Sequence, residues 1–494
     1  MSLMKFPDEL LTEIAEHFVI GLLDTPEVLA TVGEHDCVSD ARASLVALTL
    51  TNRRFNAIAT RFLYHTVRIH DLGTLFYVVS RLLEAPHLAE LVREIAVTAD
   101  LSLSEAYYNL WDNAGFEKLI RSLDNDNATA ASRTAYTAYR QLVKPFPDLE
   151  RLISTTVAGE DEDLNGLGEA ACALLLLLTS KARTLYLILP DQNTGPGEYP
   201  LLTSIFDTGP TPHVLSRLEH LLLASNPAVD VTHLPETAPR DFMLGRRVKH
   251  VELFGASLME PENSVWADVW AHVETLKMKG ADTSGAWWYW LCKEARPPLK
   301  EVEISTSVYF GDAVWDSNAP GLNEALSFCT GTLQRLRLDF GESRPSDEPY
   351  LGPRRKLACL PSMKFLTHLH IPPRLLFFSM DDMNRSNICD KLPPCLQILV
   401  LQQTASICHE PNPYESVTDI EEWSWDGPKY GALVHRAVLQ LAFESADCLP
   451  RLEKVSVVRS SNGCGGWTAV PELDSIVTWT SARGLKIMSF SPTR

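Results

Sequence analysis

The sequence is poor in the marks of catalytic and metal-binding proteins. Its ten cysteines stand at 37, 172, 292, 329, 359, 389, 395, 408, 448 and 464, with no C-x-x-C pair and no Cys/His spacing of a zinc module. Free thiols in a reducing compartment are the reading, and neither metal nor cofactor is expected. There is no G-x-x-x-x-G-K-[ST], no G-x-S-x-G, no H-E-x-x-H and no G-x-G-x-x-G after a strand. Gly463-Cys464-Gly465-Gly466 lacks the following lysine of a phosphate cradle and reads as a turn. Positive charge is also scarce: 44 Lys and Arg face 63 Asp and Glu, a formal net charge of -19. That field repels phosphate backbones and acidic lipid, so neither nucleic acid nor membrane is an expected partner.

Long apolar runs are missing too. The most apolar stretch, 170–178, is about nine residues long and is followed by Lys181 and Arg183. A bilayer span needs about twenty, so a buried helix is expected. Residues 1–20 interleave Asp8, Glu9, Glu13 and Glu16 with apolar positions, which suits neither an export signal nor a transit peptide. A cytoplasmic or nuclear location is the expectation.

At the start, Leu10, Ile14 and Phe18 recur every four residues behind Pro7, an amphipathic helix. After a Gly-, Asp- and Thr-rich stretch to about Asp40, Leu45, Leu48, Asn52, Phe55, Ala59 and Phe62 line a second helical face. From Leu63 the pattern alternates as in a strand, which places a boundary near residue 62.

The dominant signal follows: an apolar residue with two more at +3 and +5. It occurs at Val92-Ile95-Val97, Leu149-Leu152, Leu185-Leu187, Leu218-Leu221-Leu223, Val248-Val251-Leu253, Val273-Leu276-Met278, Leu299-Val302-Ile304, Leu333-Leu336-Leu338, Leu366-Leu369-Ile371, Leu396-Leu399-Leu401, Leu452-Val455-Val457 and Leu485-Met488-Phe490. From Leu218 to Leu396 the steps run roughly 25 to 34 residues, room for a strand and a returning helix. Segments 313–326 and 430–446 can supply such helices, and the Pro-rich 196–212 and 345–353 read as loops. The step from Leu396 to Leu452 is about double, which marks a degenerate repeat or an insertion at 402–429. A short strand with one apolar face buries it only by stacking beside its neighbours, so an α/β solenoid over 63–494 is expected, with parallel strands on the concave side and helices on the convex side.

Alternation along each strand sends the +2, +4 and +6 side chains to the open face. They are His250, Glu252 and Phe254; Thr275, Lys277 and Lys279; Glu301, Glu303 and Ser305; Arg335, Arg337 and Asp339; and His368 and His370. In register, Glu301 and Glu303 lie beside Arg335 and Arg337, with Lys277 on the other side. Two readings stay open, a set of cross-strand ion pairs or a charged strip for a protein ligand. His368 and His370 alternate as metal ligands can, but with no carboxylate or thiol at a fitting interval they read as solvent-facing. Trp287, in Trp287-Trp288-Tyr289-Trp290, and Trp423 and Trp425, in the long interval, are further candidates for contacting a partner.

Phe6-Pro7-x-x-Leu10-Leu11-x-x-Ile14, with Leu45, Leu48 and Asn52-Arg53-Arg54-Phe55-x-x-Ile58-Ala59, resembles the F-box, and the tail resembles fungal F-box proteins with irregular leucine-rich-repeat-like C-terminal domains. The resemblance implies a helical F-box-like module at 1–62. It implies a noncatalytic substrate-recognition subunit of an SCF-type cullin-RING ubiquitin ligase. The head would dock on a Skp-family adaptor, and through it cullin, while the solenoid holds a protein substrate. Phe6, Pro7, Leu10, Leu11, Ile14, Leu45, Leu48 and Phe55 would carry the docking or the small core beneath it. The connection from about Val19 to Ser44 is longer than the family's usual one. A ligase-independent binding scaffold, whose N-terminal helices only cap the solenoid, is the alternative, and an enzyme whose site is assembled from loops stands third.

Overall fold

The computed structural model describes residues 7–18, 36–99, 130–158, 167–189, 215–225, 247–255, 257–258, 265–280, 282–283, 285–306, 321–340, 357–377, 386–404, 436–441, 448–460, 473–480 and 484–486, with Leu119, Leu202, Met243, Val434 and Glu444. The chain forms two compact units, Met1–Val248 and Lys249–Arg494. Each is α/β and is built on parallel strands that follow one another in chain order.

The first unit begins with three helices, α1 (Asp8–Glu16), α2 (Asp36–Thr51) and α3 (Arg53–Leu63). Asp8 and Glu9 sit in the first turn of α1, where acidic charge complements the helix dipole. The second face expected over 45–62 is two helices, because Asn52 leaves the helical conformation and its side chain accepts from the N–H groups of Arg54 and Phe55. That cap satisfies two donors that a helix start leaves open. The three helices meet at Ala15, Leu45 and Ala59, with Phe18, Leu48, Ile58, Phe62 and Leu63 packed around them. Two alanines at the centre let the helix backbones approach closely.

Four parallel strands follow: β1 (Thr66–Ile69), β2 (Glu94–Val97), β3 (Thr184–Leu189) and β4 (His220–Ser225). Their apolar residues align as Val67, Ile95, Leu185 and Leu221, all buried. Ala182, also buried, fills the position before Leu185 where the repeat pattern has no leucine. Helices α4 (Leu72–Glu84), α5 (Pro86–Ala89), α6 (Ala130–Val143), α7 (Pro147–Ala158) and α8 (Leu167–Leu178) complete the described part of this unit. Leu149-Leu152 thus lies on a helix, not on a strand. A +3 spacing is common to both structures, and the +5 residue that distinguishes the strand pattern is missing there. The apolar run at 170–178 falls in α8, in which Leu167, Gly168 and every residue from Ala170 to Leu177 are buried.

In the second unit β5 (His250–Phe254), β7 (Thr275–Lys279), β9 (Glu301–Thr306), β10 (Arg335–Phe340), β11 (His368–Ile371), β12 (Ile398–Thr404) and β13 (Lys454–Ser460) are parallel neighbours in that order. The short strands β6 (Ser257–Leu258) and β8 (Asp282–Thr283) pair apart from them. The +3 residues form one buried row: Val251, Leu276, Val302, Leu336, Leu369, Leu399 and Val455. The backbone repeats as well. One carbonyl per repeat, on Lys249, Glu274, Lys300, Gln334, Thr367 and Gln397, accepts from two successive N–H groups at the start of the next strand. In the first unit His65, Arg93 and Arg183 do the same. This translation of one strand onto the next is the solenoid-like feature of each unit.

The repeat ends before the last expected strand. β14 (Leu473–Thr480) runs antiparallel to β13, and β15 (Gly484–Lys486) runs antiparallel to β14. Leu485 therefore belongs to an antiparallel strand and not to a further parallel one. The step from Thr480 to Gly484 is too short for the crossover that a parallel return of the chain needs.

Among the helices of this unit are α9 (Val265–Trp270), α10 (Gly285–Trp290), which continues as a π-helical turn over Leu291–Ala295, and α11 (Leu322–Ser327). Of the helical segments expected at 313–326 and 430–446, the described residues are helical at 322–326, Val434, 436–441 and Glu444. Among the described residues no helix is long and apolar enough to cross a membrane.

Candidate functional site

Two surfaces gather the candidate residues. On the head, Leu11, Leu45 and Phe55 are buried, Leu48 is half-buried and Pro7 is exposed. Leu10 and Ile14 point outward, with Leu10 44% exposed. The expected stripe Leu10-Ile14-Phe18 is thus divided: Phe18 joins the core, and the inward face of α1 is Leu11 and Ala15. The apolar residues of α1, Leu10, Leu11, Ile14 and Ala15, share one face as two adjoining i,i+4 stripes that compete. The one containing the small Ala15 packs, because it admits α2 and α3 closely. On α2, Val46 and Leu50 form another outward i,i+4 pair, with Leu50 81% exposed. Arg54 Nε bonds Asp8 Oδ1 at 2.5 Å, tying α3 to the start of α1. Phe6 lies outside the described residues.

The second surface is the polar face of the β5–β13 sheet. Register places Glu301 beside Arg335 and Glu303 beside Arg337 on β10, with Lys277 opposite Glu303 from β7. The ion pairs are Arg337–Glu303 at 3.3 Å, Arg335–Glu301 at 4.0 Å and Lys277–Glu252 at 3.2 Å. Lys300–Glu274 at 2.6 Å flanks them. Lys277 takes Glu252, on β5, as its direct partner. Burial pulls its ammonium pKa down, but Glu252, Glu301 and Glu303 outweigh that and leave it raised. At partly exposed positions such pairs contribute about 0 to 1 kcal/mol each, so they align strands more than they stabilise them.

Farther along, the strip becomes drier. Asp339 and Gln402 are buried, with Gln402 only 2% exposed, and the Gln402 amide donates to Asp339 Oδ1 at 2.7 Å. The Gln402 side chain also interacts with the His370 ring, while Arg337 Nε has no hydrogen-bond partner. Buried polar atoms are rarely left so, and these three side chains on adjoining strands form one polar cluster at the dry end of the strip. Of the two histidines expected to face solvent, both are half-buried, and His370 is the more enclosed. Burial and the neighbouring Arg337 push His370 down to about 4, and burial with Arg335 lowers His368. The sequence signalled His370 and Asp339 by alternation alone. Gln402 is the +6 position of the repeat that starts at Leu396, so the same alternation reaches it, although the expected strip stopped at His370.

Trp287 is a core residue, 2% exposed, set edge-on between Trp270 at 5.6 Å and Trp288 at 5.0 Å. Trp288 donates to Thr283 Oγ1 at 3.0 Å, and Trp290 is buried as well. Helix α10 buries its indoles on more than one face because it is wrapped by neighbouring elements, so Trp287 offers nothing to a partner. In this aromatic group the more open rings are Tyr289 and the exposed Phe328, packed edge to face at 5.8 Å. Trp423 and Trp425 lie outside the described residues.

Among the described residues one group of metal-ligand side chains converges: Cys389, Glu444 and Cys448, with ligand atoms within 4.8 Å of one another. No protein-family model matches the chain, and no curated protein matches it.

Proposed function

We propose that the chain is a noncatalytic substrate-recognition adaptor of a cullin-RING ubiquitin ligase, whose head docks on a Skp-family adaptor and whose repeat tail holds a protein substrate. The observation that carries the reading is the outward display of Leu10 and Ile14 on α1 and of Val46 and Leu50 on α2. A head that only capped the repeats would turn its large apolar side chains toward them. This head instead closes a core of its own from residues within 15–63 and leaves two apolar pairs for another protein. On the tail, the substrate would lie along Lys277, Glu301, Glu303, Arg335 and Arg337, with His370 and Gln402 at the dry end. Mixed charge along such a strip selects a partner with the complementary alternation.

A ligase-independent scaffold is the second reading. It draws on the Arg81–Tyr64 hydrogen bond, which ties the end of α3 to α4 of the first repeat. Size-exclusion chromatography of the purified chain with a purified Skp-family adaptor separates the two. The wild type should comigrate with the adaptor. Leu10→Glu with Leu50→Glu should abolish comigration and leave the circular dichroism spectrum unchanged, since both side chains face solvent. A wild type that fails to comigrate overturns the ligase reading, as does a double variant that still does.

A further inference from the structure

Two thiols and one carboxylate among the described residues of the second unit converge at a place that the adaptor reading does not use. Cys389 lies in the 3-10 turn Ile388–Lys391, which leads into β12. Glu444 and Cys448 are each helical and stand four residues apart in the chain. Their three ligand atoms lie within 4.8 Å of one another, the separation of donors around a single cation.

The surroundings are arranged for ligation. Asn387 Nδ2 donates to Glu444 Oε2 at 2.8 Å, and Gln440 Nε2 donates to Glu444 Oε1 at 3.2 Å. Asn387 Oδ1 also accepts from the Cys389 N–H at 2.8 Å, so one amide side chain orients two of the three groups. A carboxylate oxygen has two lone pairs, and a single hydrogen bond leaves one of them for a metal. Hydrogen-bonded carboxylates of this kind are the usual outer support of metal ligands. Cys389 is buried, Glu444 half-buried and Cys448 exposed, so the group is reached from solvent at Cys448.

We propose that Cys389, Glu444 and Cys448 bind one zinc-class divalent cation, which clasps Glu444 and Cys448 to the turn before β12. Two sulfurs and one carboxylate favour Zn2+ over Mg2+ or Ca2+, which take oxygen ligands. Binding releases the two thiol protons to solvent, and the two thiolates so formed and the Glu444 carboxylate are bonded to a doubly charged ion that offsets their charge. The contrasting pair, Cys292 and Cys329 with sulfurs 3.5 Å apart, is buried and does not belong to a ligand group of this kind.

Titration of the reduced full-length protein with Co2+ and then Zn2+ tests the proposal. One equivalent of Co2+ should produce a thiolate-to-cobalt charge-transfer band and the visible bands of a four-coordinate ion, and Zn2+ should displace both. Cys448→Ser, a change at an exposed position, should reduce the charge-transfer band by about half and weaken binding by about tenfold or more. Glu444→Gln should weaken binding while keeping the sulfur band. The wild-type spectrum is itself a readout that needs no variant to fold. A wild type without the band overturns the proposal, as does a band unchanged in both Cys448→Ser and Cys389→Ser. A Cys389–Cys448 disulfide that on reduction yields no cobalt site overturns it too.

Discussion

Replacing His370 with glutamine should make the second unit less sensitive to acid, because the wild-type ring is held neutral inside the sheet's polar face. Burial removes water from the imidazole, and the adjoining Arg337 opposes a second positive charge, so its pKa falls from the ordinary 6.5 to about 4. Between those values the unfolded chain takes up a proton and the folded chain does not. Stability is therefore complete above the unfolded value and is lost as pH falls toward the folded one. At about 1.4 kcal/mol per unit of separation, passing from about pH 7 to about pH 5 removes about 2 kcal/mol through this group. His250 and His368, also depressed by burial, act in the same direction. So does Glu274, held low by Lys300, whose contribution is lost as the carboxylate protonates. The diagnostic quantity is consequently the difference between proteins: His370→Gln should lose about 2 kcal/mol less than the wild type over the same interval. Urea unfolding followed by tryptophan fluorescence reports on this unit, since every tryptophan except Trp111 lies beyond residue 248. Equal losses in the two proteins would refute a buried neutral imidazole at this position.

Trp288→Ala should destabilise the second unit by about 3 to 5 kcal/mol, because the fully buried ring loses its packing on Trp287 and its hydrogen bond to Thr283. A loss below about 1 kcal/mol by urea titration would mean that the aromatic cluster is not a core element. Asn52→Ala should weaken the head by about 1 kcal/mol through the lost cap of α3. Hydrogen exchange should quicken across Arg53–Leu63 and stay unchanged in β9–β12, and uniform quickening would contradict a separate head core.

The sequence by itself determined the strands. An apolar residue at +3 and another at +5 can be buried together only on one face of an extended segment, so β2, β3, β4, β5, β7, β9, β10, β11, β12 and β13 were legible, and with them the alternation that puts Glu303 beside Arg337. Helix faces were less legible. Leu10-Ile14 and Leu11-Ala15 satisfy the same i,i+4 rule, and only the approach of α2 and α3 to Ala15 chose the second. Leu149-Leu152 fitted a strand because +3 spacing serves both structures, and the surrounding helices settled the matter.

What the tertiary structure alone decided depends on neighbours remote in sequence. Trp287 is buried because Trp270 and Trp288 enclose it, which no pattern within 286–291 expresses. His370 loses its solvent through stacking between β10 and β12. The cysteine count with its irregular spacing pointed away from metal, yet Cys389, Glu444 and Cys448 meet because the segment after β12 returns beside the turn that precedes it. Local periodicity fixes which face of an element is apolar, whereas the identity of what lies against that face is a long-range contact, and a linear pattern carries no record of it.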